Sequence, residues 1–304
     1  MEFFTVPGVA DGVVLSCAYI LPSAAPKAVV QIVHGMCSRK EVYFPFMENL
    51  ASNGFIAATC DLRGHGASVS SPDDLGYMGK GGTKALVGDV REVSKWAKEK
   101  WPSLPLFLLG HSMGSMIVRS YVKHDPSPVD GLVVTGSPSR APEARFGKFV
   151  AGCIGLFRGQ RFRSKTLAVM CLGKAEKKFS REGRLAWLAS DASIRKQYLE
   201  DPSSHFIFTV NGFRNGIFNL LLDIYDTDGW VMTKPGMPVL FVSGAADPLL
   251  VSPDKFAEAV SFMRKVGYKN VSSKLYPGLR HEILNEVGKE RIWADVVASL
   301  ESWV

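Results

Sequence analysis

Gly110-His111-Ser112-Met113-Gly114 sets a serine between two glycines in a G-x-S-x-G spacing. The apolar run 105–109 before it reads as a buried strand, and residues 116–122 after it read as a helix. A serine on so tight a strand-to-helix turn needs small residues at both flanks, because side chains there would clash across the turn. The turn lifts the hydroxyl toward a substrate, at the head of a helix whose dipole favours developing negative charge. The chemistry this predicts is nucleophilic attack by Ser112, with Gly110, His111 and Gly114 building the elbow. The bland alternative is a serine that only caps the helix.

A serine needs a base, and the base needs an acid to hold it. On a sheet with such an elbow the chain order is serine, acid, histidine. Three histidines follow Ser112: His124, His205 and His281. His124 ends the helix that Ser112 begins and points away, and His205 has no strand before it. His281 follows the alternating segment 271–276 and the turn Pro277-Gly278, a loop at a strand's end. Asp247 stands at the end of the apolar run 238–242, and Pro248 biases it toward an extended conformation. Asp254 is the rival acid but lies at the start of the next helix, as a cap residue would. Asp223, Asp226 and Asp228 precede the strand and fit less well.

The oxyanion of an acyl transfer needs two backbone N–H donors. Met113, just after the nucleophile, is one. The second is expected from the loop after strand 28–33, His34-Gly35-Met36, where Gly35 lets the backbone come close and Met36 N–H donates. His34 is expected to brace that loop.

These segments carry a family resemblance. The chain resembles an α/β-hydrolase of the monoacylglycerol lipase and lysophospholipase-like group, also grouped with the serine aminopeptidases (S33 type). The matching segments are His34-Gly35-Met36, Asp61-Leu62-Arg63-Gly64-His65-Gly66-Ala67-Ser68, Gly110 to Gly114, Gly244 to Pro248, and Tyr276-Pro277-Gly278-Leu279-Arg280-His281-Glu282. They run through nearly the whole chain. The resemblance implies triad roles for Ser112, Asp247 and His281. It also implies a mostly parallel sheet with helices on both faces and an inserted helical cap. It leaves the ester open.

The elements needed to position these residues are legible. Residues 3–6 and 13–20 read as an antiparallel pair around Asp11-Gly12, followed by strand 28–33, helix 42–52, strand 55–59 and helix 83–100. After the Ser112 unit come strand 129–135, then strand 238–242, helix 252–266, strand 271–276 and a helix closing at Trp303. The stretch 135–238 has no clear strand, which by family resemblance is the place of a cap. The expected division is a core of 1–137 and 236–304 with a cap of 138–235.

Composition agrees with one large α/β unit: 304 residues, 46% of them hydrophobic. The N-terminus has no basic-then-apolar signal pattern, and no apolar run reaches the length of a membrane span. Cys17, Cys37, Cys60, Cys153 and Cys171 lack metal-like spacing and read as cytoplasmic thiols. Cys37, beside the proposed oxyanion donor, is a place where a bulky thiol reagent is expected to block the site. No metal site and no cofactor are expected.

Charge is local. Residues 140–184 carry twelve Lys/Arg against three Asp/Glu, while the whole chain is only +7. Phe146, Phe149, Val150, Cys153, Ile154 and Phe157 recur at helical spacing there. The stripe reads first as packing over the active site, with the charges a solvated face and Gly147, Gly152 and Gly155 loosening a mobile lid. The alternative is a basic amphipathic helix lying on an anionic bilayer, a peripheral membrane contact. Nucleic acid is not an expected partner, since the basic stretch has no zinc spacing or binding motif.

The reading is a serine hydrolase cleaving a carboxylic ester through an acyl-enzyme, with a monoacylglycerol or lysophospholipid as favoured substrate. An aminopeptidase-like or small-ester hydrolase is the enzymatic alternative. The peptidase would need a cap carboxylate for the amine, with Glu200, Asp201, Asp223 and Asp226 as candidates. A non-catalytic ligand-binding protein on the same fold is the alternative from another class; such proteins usually lose a triad member, and here all three positions are filled.

Overall fold

The computed structural model describes residues 1–304. Eight strands form one sheet: β1 (Glu2–Pro7), β2 (Val14–Ile20), β3 (Ala28–Val33), β4 (Phe55–Cys60), β5 (Leu106–His111), β6 (Gly131–Thr135), β7 (Val239–Gly244) and β8 (Val271–Tyr276). Their order is β1-β2-β4-β3-β5-β6-β7-β8. β2 alone runs against its neighbours, and the strands from β3 to β8 are parallel. The near-continuous apolar runs explain this: β3, β4, β5, β6 and β7 are buried at every residue, as parallel strands covered on both faces must be. β8, at the edge, exposes Ser272, Ser273 and Lys274.

The core helices are α1 (Phe44–Ser52), α2 (Gly82–Lys100), α3 (Met113–His124) and, after the insertion described next, α9 (Pro253–Lys265) and α10 (Lys289–Glu301). α1 and α10 pack on one face through Phe46, Leu50, Ile292 and Val296. α2, α3 and α9 pack on the other through Leu86, Val90, Ile117, Phe256 and Val260. Their ends differ from the sequence expectation by a few residues at most; the start of the expected helix 42–52 is a 3-10 turn, Lys40–Tyr43. After β3 the chain steps outward to β4, then crosses back to β5 on the other side of β3. The crevice at that reversal is where ligands sit in open α/β sheets, and the loop after β3 and the Ser112 elbow both lie there.

Between β6 and β7 the chain forms no strand. It holds α4 (Ala144–Arg158), α5 (Lys165–Lys178), α6 (Ala192–Glu200), α7 (Val210–Gly212), a π-helical turn Phe213–Phe218 and α8 (Asn219–Ile224). No helix of the protein is long and apolar enough to cross a membrane.

α4 corrects one expectation. Only part of the expected stripe packs inward: Val150 and Ile154 lie against the buried cluster, but Phe146, Phe149 and Phe157 are 62, 67 and 86% exposed, and Leu156 is 84% exposed. The buried positions are Ala144, Gly147, Ala151 and Gly155. A Cβ on Gly147 would stand 2.7 Å from the Phe218 ring, and one on Gly155 would stand 2.4 Å from the Gln160 amide. Gly147 serves close packing against the Phe218 ring, whereas at Gly155 the end of the flexible Gln160 side chain can give way. Two of the basic residues are also not free. Arg161 pairs with Asp74 at 2.7 Å, and Arg163 donates to the carbonyls of Ile207, Pro72 and Asp73.

Candidate active site

Ser112 sits between the end of β5 and the first turn of α3 with φ 54° and ψ −119°, a backbone region that L-residues avoid at a cost of about 1–3 kcal/mol. Close approach explains the flanking glycines. A Cβ on Gly110 would meet Gly114 O at 2.4 Å, and one on Gly114 would meet Val33 O at 2.0 Å. The Ser112 N–H donates to Thr135 O of β6 at 3.0 Å, which ties the strained residue to the sheet.

Asp247 and His281 reach the same point from the ends of β7 and β8. His281 Nε2 lies 2.8 Å from Ser112 Oγ, and His281 Nδ1 lies 2.8 Å from Asp247 Oδ2. The other carboxylate oxygen of Asp247 accepts the Leu249 N–H at 2.8 Å, so both oxygens are held. Asp247 and His281 are each 2% exposed. Burial alone lowers the His281 pKa. The Asp247 carboxylate, by charge and hydrogen bond, and the neighbouring Glu282 outweigh it and raise the pKa above the ordinary 6.5. The rival positions lie elsewhere. Asp254 is exposed in the first turn of α9, whose N-cap is Ser252. His124 is exposed at the end of α3, and exposed His205 contacts Arg184.

The loop after β3 presses on the elbow: a Cβ on Gly35 would stand 2.9 Å from Ser112 Cβ. His34 braces that loop, with Nδ1 2.8 Å from Gly35 O and Nε2 accepting the Leu62 N–H at 2.9 Å. Burial lowers its pKa to about 4, so it is neutral and able to accept that bond. The Met36 N–H has no partner in the protein, and Met113 opens α3 beside Ser112. Cys37 is half-buried; its thiol donates to Phe206 O at 3.2 Å, and burial pushes its pKa up to about 12.

Sequence reasoning missed the strap over the base. Residues 182–190 are clamped by the run that contains His281. The Arg280 guanidinium reaches both Glu182 oxygens, at 2.7 and 2.8 Å, and the Ala186 carbonyl. The Glu282 N–H donates to Leu188 O at 2.8 Å, and Glu286 accepts from the Ser190 N–H at 2.9 Å and its hydroxyl at 2.6 Å. The clamp sets Trp187, 5% exposed, with its ring 5.1 Å from the His281 ring. The signal in the sequence was two charged residues, Arg280 and Glu286, close to His281 in the chain.

The inner side of the insertion is apolar. Leu167, Phe208, Phe213 and Ile217 share one buried cluster with Met113, and Met36, Val150, Ile154, Cys171 and Phe206 pack against it.

Residues 24–288 match the family model described as serine aminopeptidase, S33. A monoglyceride lipase homolog of Monkeypox virus is 36% identical over 296 residues, covering 97% of this chain and 95% of that one. A monoacylglycerol lipase of Mycolicibacterium smegmatis is 25% identical over 283 residues, covering 93 and 90%. Among solved structures, a thermostable carboxyl esterase from Bacillus coagulans in complex with glycerol superposes with a TM-score of 0.91. It is 22% identical and covers 100% of this chain and 99% of that one, a likeness of fold. The chain belongs to the serine aminopeptidase S33 family of α/β-hydrolases, in its monoglyceride-lipase-like group.

Proposed function

We propose that this chain cleaves the carboxylic ester of a long-chain monoacylglycerol or lysophospholipid through an acyl-enzyme on Ser112. The observation that carries the reading is the Asp247–His281–Ser112 chain of two 2.8 Å contacts at the ends of three parallel strands. His281 Nε2 takes the serine proton as Oγ attacks the ester carbonyl. Asp247 keeps the other imidazole proton on Nδ1 and stabilises the cation that forms. The Met36 and Met113 N–H groups hold the oxyanion. The alkoxide leaves with the proton from His281, and water repeats the sequence to release the free acid.

The lipid acyl chain is supported by the apolar cluster that joins Met113 to Phe208, Phe213 and Ile217, and by the lipase names of the relatives. Residues 138–235 serve as the cap over the core. Two of the carboxylates that an amine-binding peptidase could use are engaged elsewhere: Asp201 pairs with Arg39 at 2.8 Å and Asp223 with Lys123 at 3.0 Å, while Glu200 and Asp226 are exposed to solvent. This favours the ester over the peptide.

The exposed Phe146, Phe149, Leu156 and Phe157 of α4 are the face that meets a lipid surface, with Arg145, Lys148 and Arg158 on the same helix. The cysteines suit the cytoplasm: Cys17 and Cys60 face each other across β2 and β4 as free thiols. The test is a screen of monoacylglycerols and lysophospholipids across acyl lengths, beside a short soluble ester. Long-chain monoacyl lipids are expected to give the highest kcat/KM. Turnover of aminoacyl amides in preference to every ester contradicts the reading.

A further inference from the structure

Glu282 follows the proposed base, and no step assigned above uses its side chain. It is 4% exposed. Its Oε1 lies 3.2 Å from Nε2 of His111, the residue before Ser112, and its Oε2 accepts from the Asn285 amide at 3.0 Å. His111 is 1% exposed, its Nδ1 is 3.1 Å from Thr135 Oγ1, and its ring centroid is 4.8 Å from that of His281. The His111 Nε2 contact is close enough for a charge pair, but its alignment falls outside a hydrogen bond, so that nitrogen is otherwise unpartnered.

More groups converge here. The hydroxyls of Tyr43, just before α1, Tyr198, on α6, and Ser38, in the loop after β3, are buried without a partner. The Glu282 charge is felt by Tyr43, Tyr198, His34 and His281. A buried carboxylate set 3.2 Å from His111 and next in the chain to His281 is costly to keep unless it is neutralised in place or used. Burial pushes its pKa up, yet His111, His281 and Asn285 outweigh that and hold the carboxyl at about 2. Glu282 is therefore charged at neutral pH.

We propose that Glu282 is a second, positioning carboxylate of this site, which holds His111 against the elbow and presents a second negative charge to the His281 imidazolium. Asp247 occupies Nδ1, and Glu282, the next residue in the chain, acts on the cation through its charge alone. The geometry divides the labour. Asp247 selects the tautomer, while Glu282 fixes the residue preceding the nucleophile and shares in stabilising the cation formed as Ser112 gives up its proton. The proposal rests on the reading of His281 as base.

The experiment is the pH dependence of kcat/KM on a soluble ester for the wild type, Glu282→Gln and Glu282→Asp, with thermal unfolding measured alongside. Loss of a negative charge facing an imidazolium lowers the imidazole pKa. The acid limb of Glu282→Gln is expected to move about one pH unit to lower pH, and its plateau to fall about ten-fold or more. Glu282→Asp keeps the charge and is expected to keep the limb. A folded Glu282→Gln with a reduced plateau and an unmoved limb makes the residue structural only and overturns the proposal. If Glu282→Gln does not fold, Glu282→Met, of similar volume and with no hydrogen bond to satisfy, is expected to give the same limb shift. Failure of both neutral variants to fold, with Glu282→Asp folded, assigns the charge to stability and also overturns it. Fluorophosphonate labelling of the wild type separates the two levels: no label on Ser112 removes the underlying reading, whereas a labelled enzyme with an unmoved limb removes only this one.

Discussion

Asp247→Asn isolates the role of the acid, and its outcome can be worked from the hydrogen bonds. One oxygen of Asp247 accepts the Leu249 N–H at 2.8 Å, and the other faces His281 Nδ1 at 2.8 Å. An asparagine keeps the first bond only by turning its carbonyl oxygen toward Leu249. Its NH2 then faces Nδ1 and donates to it. The imidazole must carry its proton on Nε2, the nitrogen that has to accept from Ser112. The carboxylate charge that raises the His281 pKa is lost at the same time, which leaves the lowering by burial less opposed. Loss of the equivalent acid in triad enzymes costs about 10⁴ in kcat, or about 5.5 kcal/mol of transition-state stabilisation. The assay is kcat/KM on a soluble ester for Asp247→Asn and Asp254→Asn, with a thermal melt to check the fold. Asp254 is exposed in the first turn of α9, so its variant is expected to stay within about two-fold of wild type. Asp247→Asn within ten-fold of wild type, or a larger loss in Asp254→Asn, refutes the tautomer argument.

The acid limb of kcat/KM for a neutral ester is expected above pH 6.5, because the base must be neutral to act and its pKa is raised; a limb below 6.5 contradicts the raising of that pKa by the Asp247 contact and the Glu282 charge. Phe149→Asp is expected to leave stability within about 0.5 kcal/mol, since the ring is 67% exposed. It should leave soluble-ester turnover unchanged and lower flotation with anionic vesicles; loss of soluble-ester turnover would mean that the ring packs over the site. Gly147→Val is expected to destabilise by about 1–3 kcal/mol by driving α4 off Phe218, read as a lowered Tm. An unchanged Tm would mean that the glycine serves looseness and not packing.

The sheet and the three strand ends were legible because each carries a local signature. β3 is apolar but for Gln31, β5 and β7 open as apolar runs, and Ser112, Asp247 and His281 stand just past the ends of β5, β7 and β8. Gly110 could be read for the same reason, since the clash it avoids, with Gly114 O, lies within five residues; Gly114 makes room for Val33 O at the end of β3, about eighty residues back. α4 was misread because its aromatic spacing suggests an inward face, whereas the partner surface, Phe218, lies about seventy residues on and admits only Ala or Gly. The strap 182–190 was invisible for a related reason. It contains only a short turn of regular structure, and it is fixed by Arg280 and Glu286 across about a hundred residues of sequence. A long-range ion pair has no periodicity to announce it. Arg161 and Arg163 show the same limit for charge, since a net count does not separate a free cation from one already bound to Asp74 or a carbonyl.

The central claim is that Ser112 forms a covalent acyl-enzyme. The most direct measurement is intact-mass and peptide analysis after treatment with a fluorophosphonate, together with monoacylglycerol hydrolysis, for the wild type and Ser112→Ala. The account predicts one adduct per chain on Ser112, with hydrolysis blocked in step with labelling. It also predicts neither label nor turnover in a folded Ser112→Ala, a loss of about 10⁴ to 10⁶ in kcat. An adduct on another residue, or a Ser112→Ala variant that still hydrolyses the ester at the wild-type rate, contradicts it.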